Sequence, residues 1–242
     1  MRQVVALSNA LRCCHTCEVS DPTNQSQQPD PVVAARLLSD QIFDNLVRPF
    51  KVERRIPSLQ IASILGALAG HACQLAALKG LDSRDPNYAG RSLMLVGTTS
   101  GEELLFGDAI NRPLLETPHS VWALVGGILH HMGFALPDPQ ELVDHVARTL
   151  PNGEPWLPRD LPPGSPTPRT ALQLWGFGEL IANSFPYPDY VPVVFALAYQ
   201  RLAQTDNAVD PTVDQLAMAR VMMESAIAMS KVQATPRELG AG

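Results

Sequence analysis

The chain has 242 residues, of which 45% are hydrophobic and 17% charged, with a formal net charge of -6. That balance suits one globular domain, or two small ones, with a sizeable core. A nucleic-acid binder carries a basic surplus or stripe, and the densest basic spot here is only Lys51, Arg54 and Arg55, so no nucleic-acid partner is expected.

At the N-terminus, Cys13, Cys14, His15 and Cys17 crowd into five residues. They contain one C-x-x-C, whereas structural zinc takes two separated pairs, and Cys73 lies far along the chain. The four are weak metal candidates, and neither a metal nor a cofactor is expected. The spacing also fits no disulfide framework. The apolar run Val4–Leu7 is broken by Asn9 and Arg12 without a small-x-small cleavage site, which points to a cytoplasmic setting. The following run of Gln, Asn, Ser and Pro buries too little apolar surface to offset its ordering entropy, so residues 1–29 read as a disordered tail.

Helix starts are marked by prolines. Asp30-Pro31, Thr117-Pro118, Asp138-Pro139, Thr167-Pro168 and Asp210-Pro211 each place proline after a capping residue, where its missing N–H had no partner in any case. Helices are expected over 31–48, 58–79, 118–132, 139–150, 168–184, 190–204 and 211–231. Gly80 and Gly133 read as C-terminal caps, and Glu141 as the third helical residue of a capping box begun by Asp138. Within 92–107, the apolar runs Leu93–Val96 and Leu104–Phe106 flank a Ser-Gly turn, the pattern of a β-hairpin. Residues 151–168 hold seven prolines and read as an extended strap pinned by Trp156, Leu157 and Leu161. The fold expected is mainly α, a bundle of about seven helices with one embedded hairpin, spanning 30–233 as a single domain before a frayed tail at 234–242.

The segment 58–79 is long enough to span a bilayer. Gln60, Ser63, His71 and Gln74 within it argue for a central helix of a bundle instead, so no membrane partner is expected. Its stripe of Ala62, Gly66, Ala69, Cys73 and Ala76 invites close approach of another helix, and Gly126-Gly127 marks the expected partner at 118–132. Met218, Met222, Met223 and Met229 read as core.

No zincin, phosphate-loop, nucleophile-elbow or dinucleotide pattern occurs. The leading expectation is a non-catalytic, self-associating interaction or scaffold protein, a homo-oligomer open to a further protein partner. The alternative is an enzyme or small-ligand binder with a pocket lined by His71, Gln74, His119 and His130 and covered by the strap through Trp156. Catalytic activity is left open.

Overall fold

A computed structural model describes residues 29–50, 57–98, 101–152, 156–176, 185–209 and 213–234. They form a mainly α-helical fold with one antiparallel hairpin, as the sequence pattern implies. Cys13, Cys14, His15 and Cys17 lie outside the described residues, as do all but the edges of both expected tails.

Helix α1 spans Pro31–Phe50. The Asp30 carboxylate accepts the backbone N–H groups of Val32 at 2.9 Å and Val33 at 3.3 Å, and Pro31 takes the first helical position. Its inward stripe of Ala35, Ile42 and Leu46 packs on helix α7, Val191–Val209.

Helix α2, Ser58–Asp82, is the centre of the molecule, with every residue from Ile61 to Gln74 buried. It is long and apolar enough to cross a membrane, and 89% of its most apolar window is buried inside the protein. Its most extensive contact is with helix α8, Gln215–Met229, followed by α7. The crossing with α8 sits on two glycines. A β-carbon at Gly66 would lie 2.2 Å from the Met222 carbonyl oxygen, and one at Gly70 would lie 2.1 Å from that of Ala226. Ser63 and Ser225 share a hydrogen bond at 3.1 Å in the same seam. The expected partner, the segment carrying Gly126 and Gly127, is therefore not the one that approaches. A β-carbon at Gly126 would touch only the Leu136 side chain, at 3.4 Å, and Gly127 faces open space. The match is one of steps: Gly66 and Gly70 are one turn apart, and so are Met222 and Ala226.

Gly80 does not end α2. It lies inside the helix, where the Tyr88 ring would be 2.3 Å from an added β-carbon. The left-handed cap position falls to Arg84, at φ 55°, and the Asp85 N–H returns to the Gly80 carbonyl at 2.9 Å.

Strands β1 (Met94–Gly97) and β2 (Glu103–Phe106) pair with Leu95 opposite Leu105 and Val96 opposite Leu104. Gly107 then turns the chain into a short helix α3, Asp108–Asn111, that widens into a π-turn over Arg112–Glu116. This helical stretch was not legible in a segment that contains Pro113. Helix α4, Val121–His131, starts three residues later than the proline signal implies. Ser120 caps it by accepting the Ala123 N–H at 3.1 Å, while extended Thr117 closes the π-turn onto Arg112. Helix α5 is Pro139–Thr149, capped by Asp138. Glu141 turns away from the expected capping box to pair with Arg159. Helix α6, Pro168–Ala171, continues as a 3-10 turn over Leu172–Leu174, and the rest of the helix expected to 184 lies largely outside the described residues. Asp214 caps α8, accepting from Leu216 and Ala217, so the helix begins four residues after the expected start at 211. Met218, Met222, Met223 and Met229 are all core residues.

Candidate functional site

The hairpin is held in place on three sides. At its root, the Asp108 carboxylate accepts the Ser92 N–H at 2.7 Å, and Arg91 reaches both the Asp108 carbonyl, at 2.8 Å, and the Glu116 carboxylate, at 2.7 Å. The Ser92 N–H is the main cause of a depressed Asp108 pKa, opposed by desolvation. At its tip, the Thr98 N–H donates to the Glu102 carbonyl at 2.7 Å, and Glu102 pairs with Arg169 of α6. Along β2, the Leu105 N–H donates to the Lys231 carbonyl at 2.7 Å and Leu104 bridges to Val232. The chain leaving α8 thus covers the outer edge of β2.

The outer edge of β1 has no backbone partner among the described residues. All four residues of β1 are exposed, with Met94, Leu95 and Val96 at 56%, 53% and 42%. Side chains alternate between the faces of a strand, so Met94 and Val96 lie on one face and Leu95 on the other. Both faces are apolar and both are wet, whereas a strand with one solvated face normally carries polar residues there. The bonding direction follows from the partner strand. The Leu105 N–H points away from β1, toward Lys231. Residues opposite each other in an antiparallel pair alternate between bonded and non-bonded. Leu95, opposite Leu105, therefore turns its N–H and C=O outward, as does Gly97, while Met94 and Val96 bond to β2.

The residues proposed from the sequence as a pocket take separate places. His71, buried in α2, meets the Trp175 ring edge-on with centroids 4.5 Å apart. Its two ring nitrogens have no hydrogen-bond partner among the described residues, and burial lowers its pKa to about 4. Gln74, also buried, donates to the carbonyls of Ser230 at 3.3 Å and Val232 at 3.2 Å, which is a tie between α2 and the end of α8. His119 is exposed beside Tyr190, with ring centroids at 6.2 Å, and His130 is exposed near the end of α4. No hydrogen bond or ring contact joins any two of the four. Trp156 is buried and donates from its indole nitrogen to Thr149 Oγ1 at 2.8 Å, pinning the strap to α5. No group of three or more His, Cys, Asp or Glu side chains that could hold a metal occurs among the described residues.

A second polar cluster was missed. Glu224, fully buried in α8, accepts the Arg159 backbone N–H at 2.9 Å and the Arg159 Nε at 2.6 Å. The same guanidinium pairs with Glu141 at 2.7 Å, and Asp160 pairs with Arg220 at 2.7 Å. Hydrogen bonding to Glu141 is the largest influence raising the Arg159 pKa. The strap is thus fastened to α8 and α5 by charge as well as by Trp156. The signal was a lone Glu224 between Met222–Met223 and Ser225 in an otherwise apolar helix, a position that requires a cation.

No protein-family model, curated protein or solved structure matches the chain.

Proposed function

We propose that the protein is a non-catalytic interaction protein that self-associates through β1. The observation that carries this reading is an apolar strand, exposed on both faces, whose outer edge has no backbone partner among the described residues while the rest of its hairpin is fixed. Open edges of this kind invite pairing, and β1 lacks the lysine, proline or bulge that usually guards one. A twofold axis at Val96 would set Leu95 of one copy opposite Gly97 of the other. Each such pair exchanges two backbone hydrogen bonds, giving a four-stranded antiparallel sheet and closed C2 symmetry. Met94, Leu95 and Val96 would then gain apolar neighbours on both faces.

Light scattering after size exclusion, across a range of concentrations, tests the proposal. The expected mass is twice the 26.2 kDa of one chain. Leu95→Pro removes an outward N–H and leaves the β1–β2 ladder intact, since proline is tolerated at such edge positions; it is expected to give the monomer. Val96→Pro would remove a bond within the hairpin and so tests the fold of the edge as well. A single-chain mass at every concentration, or a dimer unchanged by Leu95→Pro, refutes pairing through β1.

A further inference from the structure

Between the hairpin and α5 lies a cavity of about 320 Å³. Its apolar walls include Leu104 and Phe106 of β2, Val143 and Val146 of α5, and Ile227 of α8. The volume falls at the lower end of the range for small-molecule sites, which pair a mostly apolar lining with a few placed polar groups. Here the placed group is an amine. Lys231 lines the cavity with 9% of its surface exposed. Its Nζ lies 5.4 Å from the Phe106 ring centroid, and among the described residues it has no hydrogen-bond acceptor and no ion pair. The carboxylate of Asp108, which also borders the cavity, is bound by the Ser92 N–H.

We infer that this cavity is a binding site for a small monocarboxylate with an apolar body, its carboxylate seated on Lys231 Nζ. Burying an ammonium group without an anion is costly, and the Phe106 face compensates for only part of the lost hydration. A single negative group on the ligand completes the pair, and an alkyl body matches the walls. Inorganic phosphate or sulfate would carry charge on every side into an apolar chamber, which disfavours them. Desolvation lowers the Lys231 pKa, opposed by the nearby Cys73 thiol.

Calorimetry with sodium octanoate, compared with 1-octanol as an uncharged ligand of the same length, tests the site. Octanoate is expected to bind saturably and at least tenfold more tightly than octanol. Lys231→Met is expected to weaken octanoate at least tenfold and to level the two ligands. Ala147→Leu, which adds bulk from an exposed position bordering the cavity, is expected to weaken both. If Lys231→Met fails to fold, Lys231→Gln, neutral and of similar reach, carries the same comparison. Equal binding of octanoate and octanol to the parent protein, full octanoate affinity in the neutral variant, or no saturable octanoate binding would each overturn the assignment.

Discussion

Glycine-to-alanine substitution at two positions should have opposite signs. In a helix interior the change removes freedom from the unfolded chain and favours folding by about 0.5–1 kcal/mol, provided the methyl group has room. At Gly127 nothing lies within 4 Å of the added β-carbon, so Gly127→Ala is expected to deliver that gain. For a chain of this size it raises the melting temperature by roughly 1–4 °C. At Gly70 the methyl would lie 2.1 Å from the Ala226 carbonyl oxygen, and ordinary contact begins near 3.4 Å. The obstacle is backbone on α8, so no rotamer change relieves it. The two helices must part by on the order of 1 Å, a gap that forfeits about a quarter to a half of each dispersion contact along the seam. Overpacking of this kind costs about 1–3 kcal/mol or more. Gly70→Ala is therefore expected to lower the melting temperature by roughly 2–12 °C, and Gly66→Leu by at least as much. Urea melts that give the midpoint at unchanged slope check the sign. Stabilisation by Gly70→Ala, or equal effects at both glycines, would show that α2 and α8 do not cross where described.

Two further outcomes follow from buried charge. The folded-state pKa of His71 is about 4 against 6.5 for the free group. The unfolded chain therefore takes the proton first, and stability is full above about pH 6.5 and falls by up to about 3 kcal/mol as the pH drops toward 4. His71→Leu should remove that component, and urea melts at pH 7 and pH 4.5 that show the same pH dependence in parent and variant would refute it. Arg159→Ala leaves the Glu224 carboxylate buried with the strap's backbone N–H at 2.9 Å and the His145 ring nitrogen at 3.9 Å beside it, so a loss of about 3 kcal/mol is expected. Adding Glu224→Leu should recover most of that loss, as thermal melts of the single and double variants would show; an equally unstable double variant would mean that the pair does more than neutralise itself.

Signals that act within one turn of chain were legible in the sequence. Asp30-Pro31, Asp138-Pro139 and Thr167-Pro168 cap the helices they announce, because a cap depends on three or four consecutive residues. The hairpin was legible from its two apolar runs for the same reason. The glycines were read less well. Gly66 falls in the expected stripe, yet its partner comes from α8, 156 residues on, and Gly80 makes room for a tyrosine ring instead of capping the helix. A glycine's local pattern records that space is needed without recording what fills it. The strap's Arg159 and Asp160 carry no local signal, because their partners, Glu224 and Arg220, sit in a different element. Gln74 was read as a pocket residue because a buried amide looks the same from sequence whether it meets a ligand or a carbonyl.

That amide accounts for which edge of the hairpin lacks a backbone partner among the described residues. Past α8 the chain runs through Ser230, Lys231 and Val232 with its carbonyls alternating in direction. Gln74 takes those of Ser230 and Val232, and the Lys231 carbonyl between them faces the Leu105 N–H. One side chain on the central helix therefore fixes this segment at a height where it can pair with only one strand. Having paired with β2, it leaves β1 without a backbone partner among the described residues, and the apolar Met94, Leu95 and Val96 remain outside the core. Lys231, in the same segment, borders the chamber between β2 and α5. Gln74→Leu, which keeps the bulk and deletes both donors, is expected to loosen the β2 edge. Hydrogen exchange at the Leu105 amide would report it directly. An amide equally protected in Gln74→Leu and parent would show that the segment after α8 is held by β2 pairing alone.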